Sequence, residues 1–353
     1  MLLAFLFAAC GGDDTPPVGL FDRTAMLQNY ADRVVMPAYE ALLAETEGLD
    51  SSITALLDAP TVANIAAARG QLFQLMLAWE DANSFNFGPA GEQGLSKSLV
   101  EEIATFPVST DKVEDFIASG DTSLNNFDRD SRGMYTLSYL LNAPADLSVR
   151  LQEPHYQAYL RAVMRNMKER IEAVHTAWQN NYATDFVARA GTDVGSGTSQ
   201  LYNEFVRSFE AIKNFKVGLP AGMRPGQTGP EPDLVEARFS SKSRELLGAH
   251  LESIWRIYEG KALDKSSGKS LADYVEAVEG GPELAASTRE QWDKVMAAYA
   301  ALPQNKSLQE LAAEEAPELI ALHTELQKHT RFFKSDMSSV LGIAITFASG
   351  DGD

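Results

Sequence analysis

The feature that most constrains the fold is a run of apolar side chains spaced three or four residues apart between positions 156 and 178. The run consists of Tyr156, Leu160, Val163, Met167, Ile171, Val174 and Trp178. This spacing places them on one face of an α-helix that continues for about six turns. Charged residues such as Arg165 and Lys168 fall on the opposite face. A helix of this kind must bury its apolar face, so the pattern predicts a helical bundle.

Three other segments show the same helical period. Segment 24–48 repeats apolar residues at helical spacing, and Pro37 should kink or break the helix there. Segment 61–85 is rich in Ala and Leu and suits a buried helix. Segment 232–259 is predicted as one helix, with Phe239 on its apolar face. Strict alternation of apolar and polar residues, which marks strands, is not evident, so the predicted fold class is all-α.

The last helix should begin at a capping box. Ser307 and Glu310 have the Ser-x-x-Glu spacing in which each side chain can bond the other residue's backbone N–H group. The apolar period that follows continues through Leu319 to Phe333. The sequence therefore predicts one long helix at this end of the chain.

Gly- and Pro-rich stretches divide the chain and mark breaks between helices. They cover residues 184–200, 217–232 and 264–270. The first break falls near the midpoint, and long helices with short connections form antiparallel bundles. We therefore predict two packed helical bundles, an N-terminal one at residues 24–184 and a C-terminal one at residues 201–353, joined by a linker at residues 185–200.

The first residues resemble an export signal. Residues 1–9 are apolar, too short to span a bilayer, and end in small residues directly before Cys10. This resembles a bacterial lipoprotein box, in which the signal peptide is removed and Cys10 is acylated, with residues 10–23 as anchor and linker. Asp13 and Asp14 resemble the mark of surface lipoproteins, which leaves the periplasmic and cell-surface faces of the outer membrane both open. The alternative is a buried apolar N-terminus with a chance cysteine.

The charge of the chain bears on its partners. The formal net charge is −19, and residues 1–9 contribute nothing to it. An acidic surface repels the phosphates of nucleic acids, so no nucleic-acid partner is expected. It also repels anionic lipid headgroups, so a tie to the membrane should come from acyl chains on Cys10. Cations would be attracted, although an acidic surface more often serves solubility alone. Because Cys10 is the only cysteine, no intrachain disulfide can form.

A nearly complete motif lies at residues 131–141. Its sequence, Ser-Arg-Gly-Met-Tyr-Thr-Leu-Ser-Tyr-Leu-Leu, resembles the Arg-Gly-x-His-x-x-Glu-x-Leu-Leu signature of the imelysin family, the insulin-cleaving membrane protease family. Arg132 and Gly133 keep the frame of that signature, as do the two leucines at its end. Tyr135 stands where the family has His, and Ser138 stands where it has Glu.

Other stretches resemble the same family in the same order along the chain. They are residues 74–81, 87–89, 213–220, 235–243 and 341–353, the last of which closes on Asp-Gly-Asp. Each match is loose, but together they span residues 24–353. The resemblance implies an imelysin-like fold of two packed helical-bundle domains, with a pocket between the domains that is bordered by the motif helix.

The two replaced motif residues change what such a pocket could do. In the family motif, His and Glu share one helix face and could hold a metal or act as base and acid. Here Tyr135, a phenol with an ordinary pKa of about 10, and the Ser138 hydroxyl are poor ligands for a divalent metal at neutral pH. Both can donate and accept hydrogen bonds, which suits a polar ligand. The alternative is that Tyr135 only packs in the domain interface and Ser138 only fills a tight helix contact.

The histidines are weaker candidates. They are His155, which is expected to be exposed, and His175, His250, His323 and His329. His175 shares a helix face with Glu172 but adjoins the apolar stripe, so a structural role is expected. His329 falls on an apolar stripe and should be partly buried. Ser243 and His250 lie two turns apart, too far for a bond within one helix. No zinc-protease motif, phosphate loop or Gly-x-Ser-x-Gly elbow is present.

The candidate binding residues come from the motif and the resembling stretches. They are Arg132, Gly133, Tyr135, Ser138, Trp79, Glu80, Lys213, Glu236, Ser240 and Ser243. No catalytic residue is predicted, and the cofactor stays open, with a divalent metal or iron as the candidate. The favoured hypothesis is an outer-membrane lipoprotein that holds a small ligand or ion between its helical domains. As the resemblance implies, it would serve the acquisition of iron or another nutrient.

Two alternatives stay open. A metallopeptidase, as the family's name implies, would need another histidine to replace in space the one missing at position 135. A surface interaction protein with a vestigial pocket would need no intact site. The loss of both motif residues favours a protein that is not an enzyme.

Overall fold

The computed structural model describes residues 21–95 and 97–347, and they form an all-α fold, as predicted. The α-helices are α1 (Arg23–Asn29), α2 (Met36–Asp58), α3 (Val62–Ala82), α4 (Leu99–Ile103), α5 (Thr110–Ser119), α6 (Met134–Asn142), α7 (Leu147–Arg150), α8 (Pro154–Ala177), α9 (Ala183–Ala188), α10 (Gly197–Ala211), α11 (Ser243–Tyr258), α12 (Leu271–Glu276), α13 (Gly281–Ala300), α14 (Leu308–Ala313), α15 (Pro317–Thr330) and α16 (Met337–Leu341). Segments of π-helix lie at Tyr30–Val35, Trp178–Tyr182, Ile212–Gly218 and Arg331–Asp336. Short 3-10 turns lie at Gly88–Ala90, Pro232–Leu234 and Arg238–Ser240. Within the described ranges no strand forms beyond one isolated bridge, between Lys261 and Ser267.

The apolar stripe at positions 156–178 is the buried face of α8 and of the first residue after it. Its seven side chains are at most 1% exposed. They face α2, α4, α5 and α6, all of which pack against α8. Helix α2 also packs along α3, and α6 packs against α3. Burial of this stripe therefore organises the helices of the first half of the chain around α8.

The second half forms another group of helices. Helix α13 packs along α15 and against α12, while α10 and α11 pack against the π-helical segment Ile212–Gly218. The two groups meet where α3 contacts α11. The predicted linker at residues 185–200 lies between the groups, although α9 runs through Ala188 and α10 already begins at Gly197. Helix α1 contacts both α9 and α10, so the start of the chain also packs on the second half.

The helix predicted over segment 24–48 does not end at Pro37. Helical structure continues from α1 through the π-helical segment Tyr30–Val35 into α2, whose first turn contains Pro37. At the junction the Met36 N–H group donates to the carbonyl of Ala31, five residues back. Proline lacks an N–H group and crowds the preceding turn, and the wider π-turn gives that turn room.

The single helix predicted over segment 232–259 was wrong in its first part. Helix α11 begins only at Ser243, because Ala237 and Ser241 adopt positive φ angles of 48° and 57° that no α-helix accepts. Phe239 therefore lies in a short 3-10 turn, where its ring packs edge-on against Tyr139 with 4.9 Å between centroids. The resulting loop carries Glu236 inward, where it is 2% exposed.

The last helix is also interrupted. The capping box at Ser307 and Glu310 forms as predicted, but the helix that it starts, α14, ends at Ala313. Glu315 adopts a positive φ of 51°, and Pro317 then begins α15. Pro317 suits the first turn of a new helix, where its missing N–H group is not needed.

The predicted signal peptide, the acylated Cys10 and most of the linker that follows lie outside the described residues, as does the closing Asp-Gly-Asp. Among residues 21–95 and 97–347, no helix is both long enough and apolar enough to cross a bilayer.

Candidate functional site

The two motif residues that match the family signature at its start, Arg132 and Gly133, lie directly before helix α6. Gly133 precedes the helix with a φ of 83°, and a Cβ atom there would lie 2.3 Å from the carbonyl oxygen of Ile103. Only glycine fits so close an approach. Arg132 pairs with the buried Glu102 carboxylate at 2.8 Å and donates to the carbonyl of Leu124 at 3.1 Å. Neither Arg132 nor Gly133 lines the cavity described below, so both hold the motif helix in place.

The two replaced motif positions differ in what they reach. Tyr135 is 2% exposed, and its hydroxyl donates a hydrogen bond to the Glu236 carboxylate. Burial, together with the nearby Glu236 and Glu80 carboxylates, raises the pKa of Tyr135 well above its ordinary value, so the phenol stays protonated and acts as a donor. Ser138 is fully buried, and its hydroxyl has no hydrogen-bond partner among the described residues. Of the two, only Tyr135 lines the cavity.

A buried ammonium lies between two carboxylates at the centre of the molecule. The Nζ atom of Lys216 is 2.6 Å from Oε2 of Glu80 and 2.9 Å from Oε2 of Glu236. All three residues are at most 4% exposed. Glu80 comes from α3, Lys216 from the π-helical segment Ile212–Gly218 and Glu236 from the loop before α11. The cluster therefore ties both groups of helices together through charge.

A line of close polar contacts continues from this cluster into the core. The Glu80 carboxylate lies 3.1 Å from Nδ1 of His250, whose Nε2 lies 2.7 Å from the Ser208 hydroxyl. Ser84 in turn donates to the Ser208 oxygen at 2.9 Å. The line runs from α3 to α11 to α10 and back to the turn that follows α3, so it fastens these elements where the two groups meet.

The electrostatics of the line place one proton near Glu80. Burial, partly offset by the charge of Lys216, raises the pKa of Glu80 to about 8. Burial and the charge of Lys216 lower the pKa of His250 well below its ordinary value, so the imidazole stays neutral. At neutral pH the Glu80 carboxyl group therefore holds a proton and His250 is neutral. Lys216 is then left to balance Glu236.

The connectivity Ser208–His250–Glu80 is that of a Ser–His–acid triad. Three observations argue against its use in catalysis. Ser208 is only 5% exposed and does not line the cavity, so no substrate carbonyl can approach it. Its oxygen already accepts a hydrogen bond from Ser84, and the Glu80 oxygen that faces His250 also binds Lys216. The line is therefore a structural network.

A cavity of about 420 Å³ opens beside the Lys216 cluster. Tyr135, Lys216 and Glu236 form its polar wall. Four aromatic side chains from both groups of helices also line it, Trp79, Phe106, Phe215 and Phe347. Further polar residues lie among them, including Arg207, Glu210 and Arg224. A cavity of this size, largely apolar with a few convergent polar groups, is typical of a small-molecule site.

The other predicted site residues divide into two groups. Trp79 and Glu80 lie at the centre, and Ser243 donates to the backbone carbonyl of Glu236, which helps to hold the inward loop. Ser240 and Lys213 do not reach the cavity. Ser240 borders a separate small pocket beside α3, and Lys213 borders another one beside His323.

Sequence reasoning missed Lys216, Ser208 and the role of His250. Lys216 lies three residues after the chosen Lys213, and the π-helical geometry of the segment shifts which side chains face α3. His250 was weighed only against Ser243 on its own helix, whereas its partners come from α3 and α10. No local signal in the sequence points to these partners.

The remaining histidines do not converge on the site. His155 is exposed, as expected, and His175 lies on the mostly buried face of α8. His329 is more buried than predicted, with 0% exposure against Phe209, Trp292 and Phe333. Burial lowers its pKa to about 3, so it acts as a neutral core side chain.

The donor set does not fit a metal ion. Across the described part of the chain, no group of three or more His, Cys, Asp or Glu side chains is placed to hold one. The two central carboxylates could contribute, but the ammonium of Lys216 already lies between them. A divalent cation would have to displace that buried charge.

Comparison with known proteins agrees with the motif. The sequence model of the imelysin family, described as peptidase M75, matches residues 35–331. The chain belongs to the imelysin family. This confirms the resemblance drawn from the motif at residues 131–141 and from the matches around it.

Relatives of this imelysin chain cover most of its length. One, named iron-regulated protein A, from Synechococcus elongatus, is 22% identical over 312 residues, which are 86% of this chain and 81% of that protein. A solved structure of an iron-regulated protein A precursor from Parabacteroides distasonis has a TM-score of 0.75 at 18% identity, over 93% of this chain and 97% of that one. An imelysin-like protein from Psychrobacter arcticus has a TM-score of 0.74 at 20% identity, over 92% and 97%. At these identities the two structures show a shared fold.

Proposed function

We propose that this imelysin family member is a binding protein without catalytic activity, and that its central cavity holds a small ligand. The observation that carries the proposal is the position of Lys216. Its ammonium lies 2.6 Å from Glu80 and 2.9 Å from Glu236, and it balances the charge of Glu236, the one of these two that borders the cavity. A metal ion bound to those carboxylates, as a metallohydrolase would need, would have to displace this buried ammonium.

The contacts of the motif helix support the same proposal. Tyr135 takes the place of the family's histidine and is already bonded to Glu236, and Ser138 does not border the cavity. A peptidase would therefore need a substitute base. His250 is the nearest candidate, but it is 0% exposed and neutral between Glu80 and Ser208.

The role and location follow from the relatives and from the first residues. Two similar proteins carry names that link them to regulation by iron. We therefore assign this chain a role in the acquisition of iron or another nutrient. The lipoprotein-like start of the sequence supports anchoring through acylated Cys10 at the outer membrane, on its periplasmic or cell-surface face.

The test uses the purified chain without residues 1–10 and the neutral dye N-phenyl-1-naphthylamine, whose fluorescence rises in apolar cavities. We expect saturable binding that is abolished by Ala211→Trp, because Ala211 lines the cavity. Ala249→Trp is the matched control, since Ala249 lines a different groove, formed by α2, α3, α11 and α13. Equal binding by all three proteins would remove the cavity as a ligand site.

Elemental analysis and peptidase assays on the same protein complete the test. We expect no stoichiometric metal, no thermal shift with iron, zinc or calcium, and no cleavage of an unfolded protein substrate. Stoichiometric metal that is lost on Glu236→Gln would restore the metallopeptidase alternative.

A further inference from the structure

The charged groups around the cavity are almost all paired. Lys216 is held by two carboxylates, and Arg207 pairs with Glu204 at 3.0 Å. Among the acidic lining residues, Glu101 lies 3.9 Å from Lys97 and Glu210 lies 3.2 Å from Lys334. Because their charges are paired, these residues offer a ligand little uncompensated charge.

Arg224 is the exception. It lines the cavity, yet no carboxylate of residues 21–95 or 97–347 lies within ion-pair distance of its guanidinium, which also has no hydrogen-bond acceptor there. In a chain with a net charge of −19, an arginine without an acidic partner beside an apolar cavity is a marked feature. Its five N–H donors remain available to a ligand.

The guanidinium is also held in position. Its central carbon lies 4.5 Å from the centroid of the Phe215 ring, which is 42% exposed and also lines the cavity. The backbone N–H group of Arg224 donates to the Gln227 side chain at 2.9 Å, and Gln227 donates to the carbonyl of Leu219 at 2.9 Å. Stacking on an aromatic ring leaves the edge of a guanidinium free for a planar anion.

We propose that the cavity takes a small organic anion with a flat apolar body, whose acidic group pairs with Arg224. The body would lie against the aromatic side chains of Trp79, Phe106 and Phe215, which line the same cavity. The inference rests on the proposed binding function and adds the chemical class of the ligand. Because Lys216 already occupies the carboxylates, a bare cation is disfavoured, and a metal would enter only as part of an anionic chelate.

The test compares two dyes with the same N-phenylnaphthylamine body, the neutral N-phenyl-1-naphthylamine and the anionic 8-anilinonaphthalene-1-sulfonate. An arginine bond to an anion in a partly buried site changes affinity roughly tenfold. We therefore expect Arg224→Gln to weaken binding of the sulfonate by about that factor and to leave the neutral dye within about twofold. Added salt should weaken only the sulfonate.

The matched control is Arg289→Gln. Arg289 also stacks on an aromatic ring, with its guanidinium carbon 5.1 Å from the Trp255 centroid, but beside the other groove. It should change the affinity of neither dye. Circular dichroism would show that each variant is folded.

The outcomes separate the two proposals. An unchanged affinity of Arg224→Gln for the sulfonate, or an equal loss of its affinity for both dyes, would refute the proposed pairing of an anionic ligand with Arg224. After either result the cavity would still be a ligand site. If neither dye responds to Ala211→Trp, both this inference and the proposed binding function fail.

Discussion

Two buried carboxylate clusters flank the motif helix, and they are built in opposite ways. In the Glu102 cluster one carboxylate faces three arginines, with Arg129 at 2.9 Å, Arg132 at 2.8 Å and Arg170 at 3.8 Å. In the Lys216 cluster one ammonium faces two carboxylates. The first has an excess of cations and the second an excess of carboxylates.

Solvent access explains how each cluster tolerates its excess. The three arginine side chains around Glu102 are 12, 10 and 37% exposed, so water shares the surplus positive charge. Every side chain of the Lys216 cluster is at most 4% exposed, so its surplus must be removed by a proton on Glu80. The comparison indicates that the first cluster holds the motif in place, whereas the second sets the charge of the cavity wall.

Removal of the central cation should have the largest effect. Lys216→Met leaves two buried carboxylates facing each other, and we expect a loss of about 3–5 kcal/mol in the free energy of unfolding, measured by urea denaturation. The loss should shrink at low pH, where both carboxylates can take protons. Lys168→Met, at a partly exposed pair with Asp50, is the control and should cost less than about 1 kcal/mol. A loss for Lys216→Met no larger than that of the control would refute the central role of this cation.

A smaller effect is expected at the Glu102 cluster. Arg132→Met removes one cation and its bond to the Leu124 carbonyl, but Arg129 and Arg170 remain beside Glu102. We expect a loss of about 2 kcal/mol, below that of Lys216→Met, in the same denaturation experiment. A larger loss in the free energy of unfolding for Arg132→Met than for Lys216→Met would mean that Arg129 and Arg170 do not compensate for the missing arginine beside Glu102.

The hydroxyl of Tyr135 can be tested without a change in shape. Tyr135→Phe removes its hydrogen bond to Glu236 and keeps the ring contact with Phe106, whose centroid lies 5.4 Å away. A hydrogen bond to a charged group contributes about 1.5 kcal/mol or more, and we expect a loss of that size by thermal or urea unfolding. Tyr139→Phe, which loses a bond to the half-exposed Glu114, is the control and should cost less. Equal losses would mean that Tyr135 only packs.

The smallest effect is the change in stability that we expect between pH 7 and pH 8. The pKa of Glu80 is raised to about 8 in the folded protein, so between its unfolded value and about 8 the folded state holds a proton that the unfolded state has released. Stability should therefore fall as the pH rises through this window. Between pH 7 and 8 the slope would be at most about 1.4 kcal/mol per pH unit.

Measurement between pH 7 and 8 separates the contribution of Glu80 to this pH dependence from those of other buried groups. Burial raises the pKa of Glu204 to about 7, which gives a fall of the same sign that lies mostly below pH 7 and weakens above it. The lowered pKa of His250 makes stability rise with pH only up to its unfolded value near 6.5. Glu80→Gln should therefore flatten the curve between pH 7 and 8 more strongly than Glu204→Gln does. A slope that survives in Glu80→Gln would place the proton elsewhere.

The sequence by itself determined the helical architecture, because helical periodicity is local. The stripe on α8 and the capping box at Ser307 are each contained in one stretch of chain, and both form as predicted. The motif at residues 131–141, together with the matches around it, indicated the family that the sequence model then confirmed. The errors fell where short-range backbone conformation overrides periodicity, at Ala237, Ser241 and Glu315, whose positive φ angles end or prevent helices.

Only the tertiary structure decided the chemistry of the site. Glu80 and Lys216 are 136 residues apart in the chain, and Tyr135 and Glu236 are 101 apart, so neither contact leaves a trace in local spacing. Glu80 and Glu236 could be named as candidates from the sequence, but a carboxylate paired with a metal and one paired with a lysine look the same there. The packing of α3 on α11, together with the π-helical turn that carries Lys216, placed an ammonium between them because two buried carboxylates require a nearby positive charge.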